Sequence, residues 1–388
     1  MKPATRLVQG DGASRTAAPL TTPVYETTTF VFETAAEVRA YNEGKSDKFL
    51  YSRYANPTVV AVEQKVAELE GAEAALLFAS GQAATTTALL ALLSAGDEVV
   101  CSSEIYGGTF HLLADLLTRF GVRARFEPLA AFSRPEALLG ANTRLVWFES
   151  PVNPTLRCVD IAAIARACRA RQVLTVADNT FASPINQRPL ALGVDVVMHS
   201  ATKYLNGHSD VTAGALAGSA ALMARMLDVR KKVGAVLDPH AAYALGRGLK
   251  TLAVRVARQN CSAQAVAAWL AQDPRVHRVY YPGLADHPEH ALAAQQMTGF
   301  GGMVCLDVGG GYERAAAFFD RLTLFRRAAS LGGVESLCSL PVLTSQWGHT
   351  PEELARAGVT DSMARLSVGL EDPDDLIADL DQALGRAT

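Results

Sequence analysis

Residues 195–208 have the sequence Asp-Val-Val-Met-His-Ser-Ala-Thr-Lys-Tyr-Leu-Asn-Gly-His, which joins a strand pattern to a lysine within one short segment. The apolar run that ends at Val197 predicts a buried strand, and the small polar residues after it predict a loop. Lys203 lies in that loop, at the edge of an open α/β sheet where ligands bind. Desolvation would disfavour its ammonium form, so the neutral amine could form a Schiff base with a carbonyl group. Ser200 and Thr202 add hydroxyl groups that suit a phosphate.

A second apolar run, residues 173–177, ends on the carboxylate of Asp178. An anion beside the pyridine nitrogen of pyridoxal phosphate keeps that nitrogen protonated, so that the ring can accept electrons. Two neighbouring parallel strands would bring Asp178 and Lys203 into one crevice, and together they predict a lysine-linked pyridoxal phosphate. Each residue alone has another interpretation: Asp178 could be a helix cap or turn residue, and Lys203 an ordinary surface lysine.

Length and composition indicate a large globular protein without a nucleic-acid partner. The chain has 388 residues, of which 49% are hydrophobic, with a net charge of -3 and a pI of about 6.3. This charge gives no electrostatic basis for binding nucleic acid. Residues 1–12 lack the apolar core of a secretory signal, and the most apolar stretch, residues 83–93, is too short to span a bilayer. We therefore expect a cytoplasmic protein without a membrane partner.

The cysteines and histidines do not form the patterns of a disulfide framework or a metal site. None of the cysteines forms a C-x-x-C motif, so we expect reduced thiols, and the histidines show no ligand-like spacing with them. We therefore predict no metal. The cysteines are Cys101, Cys158, Cys168, Cys261, Cys305 and Cys338.

The order of strand and helix patterns predicts three parts of the chain. Residues 1–55 show little sustained periodicity and are predicted to be an arm that contacts a neighbouring subunit. Residues 56–250 alternate short apolar strands with helices, which predicts a large domain with a mostly parallel sheet covered on both faces. Residues 251–388 predict a smaller C-terminal α+β domain that begins with a long helix at residues 254–270.

Individual helices and strands can be located from the residues that typically begin and end them. Asn56 as N-cap, Pro57 at the first helical position and Gly71 after Glu70 predict a helix at residues 57–70. Strands are predicted near residues 74–79, 98–101, 122–126, 144–148, 173–178, 194–197, 213–217, 276–281 and 302–308, and further helices near residues 161–171, 312–321 and 374–385.

Three further segments are candidates for ligand binding. Ser80, Gly81 and Gln82 come directly before a long helix, whose N-terminus could hold a phosphate. The two glycines after Tyr106 would let its ring lie flat against a planar ligand, although a simple turn into a helix has the same pattern. Arg365 enters a strand and could clamp a carboxylate, or it could be a structural ion-pair residue.

Seven motifs occur in order along nearly the whole chain, and together they resemble the cysteine/methionine-metabolism family of pyridoxal-phosphate enzymes. That family includes cystathionine γ-synthase, cystathionine γ-lyase, methionine γ-lyase and the O-acylhomoserine sulfhydrylases. The motifs are residues 51–58 (Tyr-Ser-Arg…Asn-Pro-Thr), 79–81 (Ala-Ser-Gly), 106–109 (Tyr-Gly-Gly-Thr), 149–154 (Glu-Ser-Pro-Val-Asn-Pro), 177–180 (Ala-Asp-Asn-Thr), 200–204 (Ser-Ala-Thr-Lys-Tyr) and 365–369 (Arg-Leu-Ser-Val-Gly).

The resemblance implies a fold-type-I, transferase-like α/β subunit in a homotetramer of two tight dimers, with active sites at the dimer interface. Lys203 would hold the cofactor and move protons, and Tyr106 would stack on the ring and assist proton transfer. Asp178 would pair with the ring nitrogen. The phosphate would be held by Ser80, Gly81, Gln82, Ser200 and Thr202, with Tyr51 and Arg53 reaching it from the neighbouring subunit. The substrate α-carboxylate would be held by Arg365, with Asn153 and Ser330 nearby.

The chain departs from the family pattern around the distal part of the substrate pocket. Cystathionine-handling members often carry charged residues where this sequence has Leu50, His111 and Ala329. A pocket without those charges would hold the second amino-acid head of cystathionine poorly, because its charges would lose water without gaining partners. Gln82 stands where many members carry methionine or leucine, and only its backbone amide is expected to matter.

These features predict a pyridoxal-phosphate-dependent carbon–sulfur lyase. Its predicted reaction is γ-elimination from L-methionine or from L-cystathionine/L-cysteine, giving a 2-oxo acid, ammonia and a thiol. The alternative is γ-replacement on O-acylhomoserine with cysteine or sulfide, as in cystathionine γ-synthase or a sulfhydrylase. A remote alternative is an inactive cofactor-binding scaffold on the same fold. The residues at 345–347, Ser-Gln-Trp, replace the commoner Thr-His and carry no assigned role.

Overall fold

The computed structural model describes residues 2–8 and 19–385. Residues 1, 9–18 and 386–388 lie outside the described part. With them lie parts of the predicted arm, parts of the segment considered for a secretory signal, and the last residues of the predicted small domain. No helix among the described residues is long and apolar enough to cross a membrane. The described residues also contain no group of three or more His, Cys, Asp or Glu side chains that could hold a metal ion.

Within the described residues, the first half of the chain forms a seven-stranded sheet with the order β1-β7-β6-β5-β4-β2-β3. All strands except β7 point in one direction, because only β7 pairs antiparallel with its neighbours. The prediction of a mostly parallel central sheet is therefore confirmed. The strands are β1 (Ala74–Phe78), β2 (Glu98–Ser102), β3 (Arg123–Glu127), β4 (Thr143–Glu149), β5 (Leu174–Asp178), β6 (Val196–His199) and β7 (Gly214–Gly218).

Helices cover both faces of this sheet, as the alternating pattern predicts. One hydrophobic cluster joins the sheet to the helices that follow β1 and β7, and two others cover the opposite face. The helices of this half are α1 (Pro3–Val8), α2 (Ala35–Asn42), α3 (Pro57–Glu70), α4 (Gly81–Leu92), α5 (Gly107–His111), α6 (Ile161–Ala170), α7 (Ser183–Asn186), α8 (Ala220–Val233) and α9 (Pro239–Leu249). Short 3-10 or π turns lie at Leu112–Leu116, Leu117–Phe120, Leu129–Ser133, Pro135–Leu138 and Pro189–Leu192.

The α3 helix begins and ends where its sequence signals place it. The Asn56 side chain accepts from the backbone N–H of Thr58 at 2.9 Å, and Pro57 occupies the first turn. Gly71 closes the helix in the left-handed conformation, with a φ of 71°. The prediction of a helix at residues 57–70 is confirmed at both ends.

The second half forms a smaller α+β unit around a five-stranded sheet with the order β10-β11-β12-β9-β8 within the described residues. Its strands are β8 (Arg278–Tyr280), β9 (Met303–Asp307), β10 (Arg326–Arg327), β11 (Leu337–Ser339) and β12 (Met363–Ser367). Its helices are α10 (Leu252–Gln272), α11 (His290–Gln296), α12 (Gly311–Arg321), α13 (Pro351–Arg356) and α14 (Pro373–Leu384), with a 3-10 turn at Pro341–Leu343.

The two sheets share one hydrophobic core. A single cluster contains Leu77 and Ala215 of the large sheet together with Leu306 and Leu366 of the small sheet. Arg255 of α10 strengthens the connection at the site, because its guanidinium donates to the backbone carbonyls of Tyr204 and Gly248, each at 2.9 Å. The loop that carries Lys203 is therefore fastened to the helix that begins the smaller unit.

The N-terminal segment contains two helices that the sequence pattern did not predict. Leu7 of α1 is 1% exposed and belongs to the shared core, where α1 contacts α3 and α10. Much of the segment that follows is exposed, including Leu20 and Val31, which are 85% and 88% exposed. The beginning of the predicted arm thus packs on its own chain, whereas the later part leaves apolar side chains uncovered.

Candidate active site

The carboxyl ends of the parallel strands bring the two central predicted residues together. Asp178 is the last residue of β5, and Lys203 lies in the turn after the neighbouring parallel strand β6. Both line one cavity of about 630 Å³. The predicted site residues that line it are Ser80, Gly81, Gln82, Tyr106, Asn153, Asp178, Ser200, Thr202, Lys203, Ala329, Ser330 and Arg365.

Lys203 has the environment that a reactive amine requires. Its Nζ donates to the hydroxyl oxygen of Ser330 at 2.7 Å. Burial, helped by the nearby positive charge of Arg365, lowers the pKa of Lys203 to about 8. The neutral amine is therefore more accessible near neutral pH than for an ordinary lysine, which suits a Schiff-base lysine.

Two carboxylates, the buried Glu149 and the half-buried Asp178, lie side by side in the cavity. Asp178 is directly opposite Glu149 in the register of β4 and β5. Burial raises the pKa of the Asp178 carboxyl above its usual value, although a hydrogen bond from Thr180 N–H at 3.0 Å opposes this shift. Burial and the neighbouring Asp178 raise the pKa of Glu149 well above its usual value. Such a pair would be stabilised by a positively charged or N–H-donating group placed against it.

One corner of the cavity is suited to an anion. Ser80 caps α4, and its hydroxyl oxygen accepts from the N–H of Ala83 at 3.0 Å. The N–H groups of Gly81 and Gln82 occupy the first turn, where helix geometry leaves them without an intrahelical acceptor. Gly81 also allows a close approach, since a Cβ there would lie 3.0 Å from the Cβ of Ser200. This corner could hold a phosphate at the helix N-terminus.

Thr202 lines the same corner, but its hydroxyl already has partners. It accepts from the N–H of Ala213 at 2.9 Å and donates to the carbonyl of Ala213 at 3.2 Å. The predicted phosphate contact from Thr202 would therefore require its hydroxyl hydrogen to turn away from Ala213. Ser200 is held differently, through its N–H, which donates to Thr180 Oγ1 at 2.8 Å.

A second corner is suited to a carboxylate. Arg365 is 6% exposed and lies on β12, and its Nη1 donates to Asn153 Oδ1 at 2.8 Å while its Nη2 donates to the Ser330 carbonyl at 3.2 Å. Both acceptors are neutral oxygens, so neither balances the positive charge. Burial lowers the pKa of the guanidinium from its usual value. A substrate carboxylate would supply the missing negative charge.

Four predicted residues do not line the cavity of this chain. Leu50, Tyr51 and Arg53 lie on the N-terminal segment, where Arg53 Nη1 donates to the carbonyl of Lys231 at 2.6 Å. The resemblance assigns Tyr51 and Arg53 to a neighbouring subunit's site and Leu50 to the distal part of the substrate pocket. His111 is exposed on α5, and its imidazole pairs with Asp115 at 3.1 Å. His111 thus does not line the cavity of this chain, and its place in the distal pocket stays a prediction.

Several cavity residues received no role from the sequence. Glu149 ends β4 as Asp178 ends β5, so the same pattern of an apolar run closed by an acid could have identified it. Its Oε1 accepts from the N–H of Tyr106 at 2.7 Å, which fixes the start of the Tyr106 turn. The others are Pro151, Thr180, Phe181, Met198, Thr212, Leu331, Leu343, Thr344 and Ser345.

Comparison with known proteins identifies the family. Residues 4–385 match the family model of Cys/Met metabolism PLP-dependent enzymes. The chain belongs to this family. It is therefore a pyridoxal-phosphate-dependent enzyme of sulfur amino acid metabolism, and the resemblance that the sequence motifs indicated is confirmed.

Several members of the family are similar over most of the chain. L-methionine gamma-lyase of Pseudomonas putida is 45% identical over 367 residues, which cover 94% of this chain and 92% of that protein. Cystathionine gamma-synthase 1, chloroplastic, of Arabidopsis thaliana is 43% identical over 366 residues, which cover 94% of this chain and 65% of that protein. The crystal structure of metB from Corynebacterium glutamicum has a TM-score of 0.92 and 38% identity, and the match covers 99% of this chain and 98% of that one. The fold-type-I architecture is confirmed by this likeness.

The cavity of this family member fits its cofactor. Asp178, with Glu149 beside it, would face the ring nitrogen, and the neutral amine of Lys203 would bond the aldehyde carbon. The first-turn amides of Gly81 and Gln82 and the hydroxyl of Ser200 would hold the phosphate. When bound, pyridoxal phosphate supplies an electron sink for the electrons released at the substrate α carbon.

Proposed function

We propose that this enzyme eliminates the γ substituent of a sulfur amino acid, with L-methionine favoured, and releases a 2-oxo acid, ammonia and a thiol. The observation that carries the proposal is the distribution of charge in the cavity. Among the described residues that line it, the charged side chains are Glu149, Asp178, Lys203 and Arg365. Asp178 and Lys203 would be matched by the cofactor, Arg365 would be matched by the substrate α-carboxylate, and Glu149 lies beside Asp178, so the substrate side chain would meet neutral groups.

The charged residues in the cavity can serve the α-amino acid part of one substrate, which consists of its α-carboxylate and its reacting α carbon. Arg365 and Asn153 would bind its carboxylate, since the guanidinium already lies within 2.8 Å of Asn153 and has neutral partners. Lys203, with a pKa of about 8, would take the α proton and then a β proton, so that the γ substituent can leave with its bonding electron pair. Tyr106, whose N–H is tied to Glu149, would assist this transfer from the opposite wall of the cavity.

The outer wall suits an uncharged side chain. It comes from residues 329–331 and 343–345, which include Ala329, Leu331 and Leu343. A methyl thioether would lose little hydration against such a wall. The second ammonium and carboxylate of cystathionine would lose water without gaining charged partners from these residues. This difference supports methionine over cystathionine as the preferred substrate.

The alternative is γ-replacement on O-acylhomoserine with cysteine or sulfide. Thr344 and Ser345 add hydroxyl groups to the otherwise apolar wall, and the buried hydroxyl oxygen of Ser345 has no hydrogen-bond partner among the described residues. Such a hydroxyl could donate to the carbonyl of an acyl ester. The similarity to the Arabidopsis cystathionine gamma-synthase supports this second reaction.

A substrate comparison with the purified holoenzyme separates these reactions. The release of 2-oxobutanoate is measured from L-methionine, from L-cystathionine and from O-acylhomoserine, the last with and without cysteine. Methionine is expected to have the highest kcat/KM, and cystathionine a value about tenfold or more lower. Faster cleavage of cystathionine would contradict the proposal. Consumption of acylhomoserine alone, with cysteine diverting it into cystathionine, would establish the replacement reaction instead.

We also propose that the enzyme is a cytoplasmic homotetramer made of two tight dimers, with residues 1–55 as an arm that completes a neighbouring active site. The large and small domains would be residues 56–250 and 251–388. Uncovered apolar side chains on the N-terminal segment, such as Val31 at 88% exposure, support a covering subunit. The free cysteines among the described residues suit a reducing compartment.

Complementation between two impaired variants tests the arm. Arg53→Ala removes the proposed phosphate contact, and Lys203→Ala removes the reactive amine. If Arg53 acts across the interface, a mixed dimer contains one site with both residues intact, so coexpression should restore about a quarter of the wild-type activity at random mixing. Activity no higher than that of Arg53→Ala alone would contradict the arm's role, whatever the substrate preference.

A further inference from the structure

The side chain of Gln82 contacts the turn that carries Tyr106. Gln82 is the second residue of α4, and Gly108 is the second residue of α5. The Gln82 carboxamide donates from Nε2 to the carbonyl of Gly108 at 2.9 Å. This contact is separate from the backbone N–H of Gln82, which is the only part of the residue that the phosphate corner requires.

The turn at residues 106–108 is packed too tightly for a side chain at position 108. A Cβ on Gly108 would lie 2.6 Å from Tyr106 Cε1, and 3.1 Å from the side-chain Cδ of Gln82. Both distances are shorter than ordinary van der Waals contact between carbon atoms. The Gln82 carboxamide and the Tyr106 ring therefore both pack against the position that a side chain at residue 108 would occupy.

This packing gives the Tyr106 turn two fixed points. The N–H of Tyr106 is held by Glu149 at 2.7 Å, and the carbonyl of Gly108 is held by Gln82. Tyr106 itself is 46% exposed and lines the cavity, so few packing contacts restrain its ring from the cavity side. The hydrogen bonds at the two ends of this turn therefore help to determine where the ring lies.

We propose that the Gln82 side chain is a positioning residue that holds the Tyr106 ring in place over the cofactor. The carboxamide acts through the Gly108 carbonyl, and it does not touch the reacting atoms. Gly108 is required for this contact. Because it has no side chain, both the Gln82 carboxamide and the Tyr106 ring can lie close to its backbone. The inference rests on the cofactor that the family binds, and it is independent of which sulfur amino acid is the substrate.

The test measures cofactor binding rather than turnover. Apoenzyme is titrated with pyridoxal phosphate, and the dissociation constant is compared for wild type, Gln82→Met, Tyr106→Ala and the double variant. Gln82→Met keeps the length of the side chain but removes the donor, so we expect the dissociation constant to rise about threefold to tenfold, as for the loss of one hydrogen bond. In the double variant the second change should add little, because the ring that Gln82 positions is absent.

A matched control is available in Gln264. It is also half-buried, and its Nε2 donates to a glycine carbonyl, that of Gly283, at 3.4 Å, but it does not line the cavity. Gln264→Met should leave the dissociation constant within about twofold of wild type, which is the scatter expected for a change outside the site.

Two results would overturn the proposal. One is additivity in the double variant: Gln82→Met would then weaken cofactor binding by the same factor with and without the Tyr106 ring. The other is an unchanged dissociation constant for both Gln82→Met and Gly108→Ala. Gly108→Ala should weaken binding at least as much, because its Cβ would displace the Tyr106 ring or the Gln82 carboxamide. If Gln82→Met fails to fold, Gln82→Asn, whose amide is too short to reach Gly108, takes its place in the cycle.

Discussion

The inner end and the outer wall of the cavity are built differently. The inner end consists of charged side chains at or just after the ends of neighbouring strands; Glu149, the most buried of these strand-end acids, is 5% exposed, and Asp178 and Lys203 are half-buried. The outer wall consists of neutral residues in loops of the smaller unit, and there Ala329 and Leu343 are exposed. A sheet holds its strand ends rigidly, whereas loops tolerate substitution. The comparison therefore indicates that the sheet determines the chemistry and the loops determine the substrate.

The largest expected effect comes from removing the amine at the inner end. Lys203→Ala should lower kcat/KM by about a thousandfold or more, because the variant loses both the cofactor bond and the proton carrier. The absorption band of the lysine-bound cofactor should also disappear. Lys232→Ala, which removes an exposed lysine paired with Asp228 at 2.6 Å, is the control and should keep both. A retained band in Lys203→Ala would mean that the cofactor is anchored elsewhere.

A smaller but still large effect is expected when the carboxylate is replaced by its neutral isostere. Asp178→Asn should lower kcat/KM by about a hundredfold, the scale for loss of one preorganised electrostatic partner. The apoenzyme should become no less stable, because burial raises the pKa of this carboxyl and so makes its charged form costly.

Asp195→Asn is the matched variant for that measurement. Asp195 accepts from the N–H and the hydroxyl of Thr175, each at 2.8 Å, and lies directly before β6, outside the cavity. The Asp195→Asn variant should have a lower free energy of unfolding in chemical denaturation but retain most of its activity. A stability loss in Asp178→Asn as large as that in Asp195→Asn would indicate a structural role for Asp178.

At the outer wall, a substitution should change selectivity rather than abolish activity. Ala329→Glu places a carboxylate where the second ammonium of cystathionine would lie, so the ratio of kcat/KM for cystathionine over methionine should rise about tenfold, as for one charge-assisted hydrogen bond. Ala328→Glu adds the same charge one residue away, outside the cavity lining, and should leave the ratio unchanged. Equal shifts in both variants would mean that overall charge, not position, is responsible.

The smallest expected effect is on the pH dependence of apoenzyme stability. A carboxyl with a raised pKa in the folded state contributes stability below its ordinary pKa, and this contribution is lost as pH rises through the raised value. For Glu149 the loss begins above about 4.5. Glu149→Gln should therefore reduce the fall in unfolding free energy above that pH, because the variant has no carboxyl to titrate. An identical slope in wild type and variant would contradict the raised pKa.

The same division between sheet and loops describes what the sequence can predict. The α3 helix is predicted to the residue because its signals are local: an Asn56 cap, Pro57 in the first turn and Gly71 at the end. Asp178 and Lys203 are predicted because an apolar run closed by a polar residue places that residue at the edge of a parallel sheet. Their meeting in one cavity follows from the pairing of adjacent strands.

The remaining features depend on tertiary contacts that no local pattern encodes. The α1 helix has six residues, and only the burial of Leu7 in the shared core indicates why it is held there. The pairing of Glu149 with Asp178 depends on which strand lies beside β5. The sequence position of His111 places it near the Tyr106 turn, yet the helical geometry of α5 directs it to solvent. The Gln82 side chain has no sequence signal, because its partner is a backbone carbonyl 26 residues away.

The shared core determines whether the chain can be cut into two stable fragments. A boundary near residue 250 separates the two sheets, but it cuts through one hydrophobic cluster in which Leu245 and Leu249 on one side pack with Leu252 and Val256 on the other. A fragment that ends there would expose the apolar face that α10 normally covers, and the loop of Lys203 would lose the guanidinium of Arg255. The two units are thus separate in topology but form a single cooperative unit in unfolding, and neither half is expected to be a soluble, stable protein by itself.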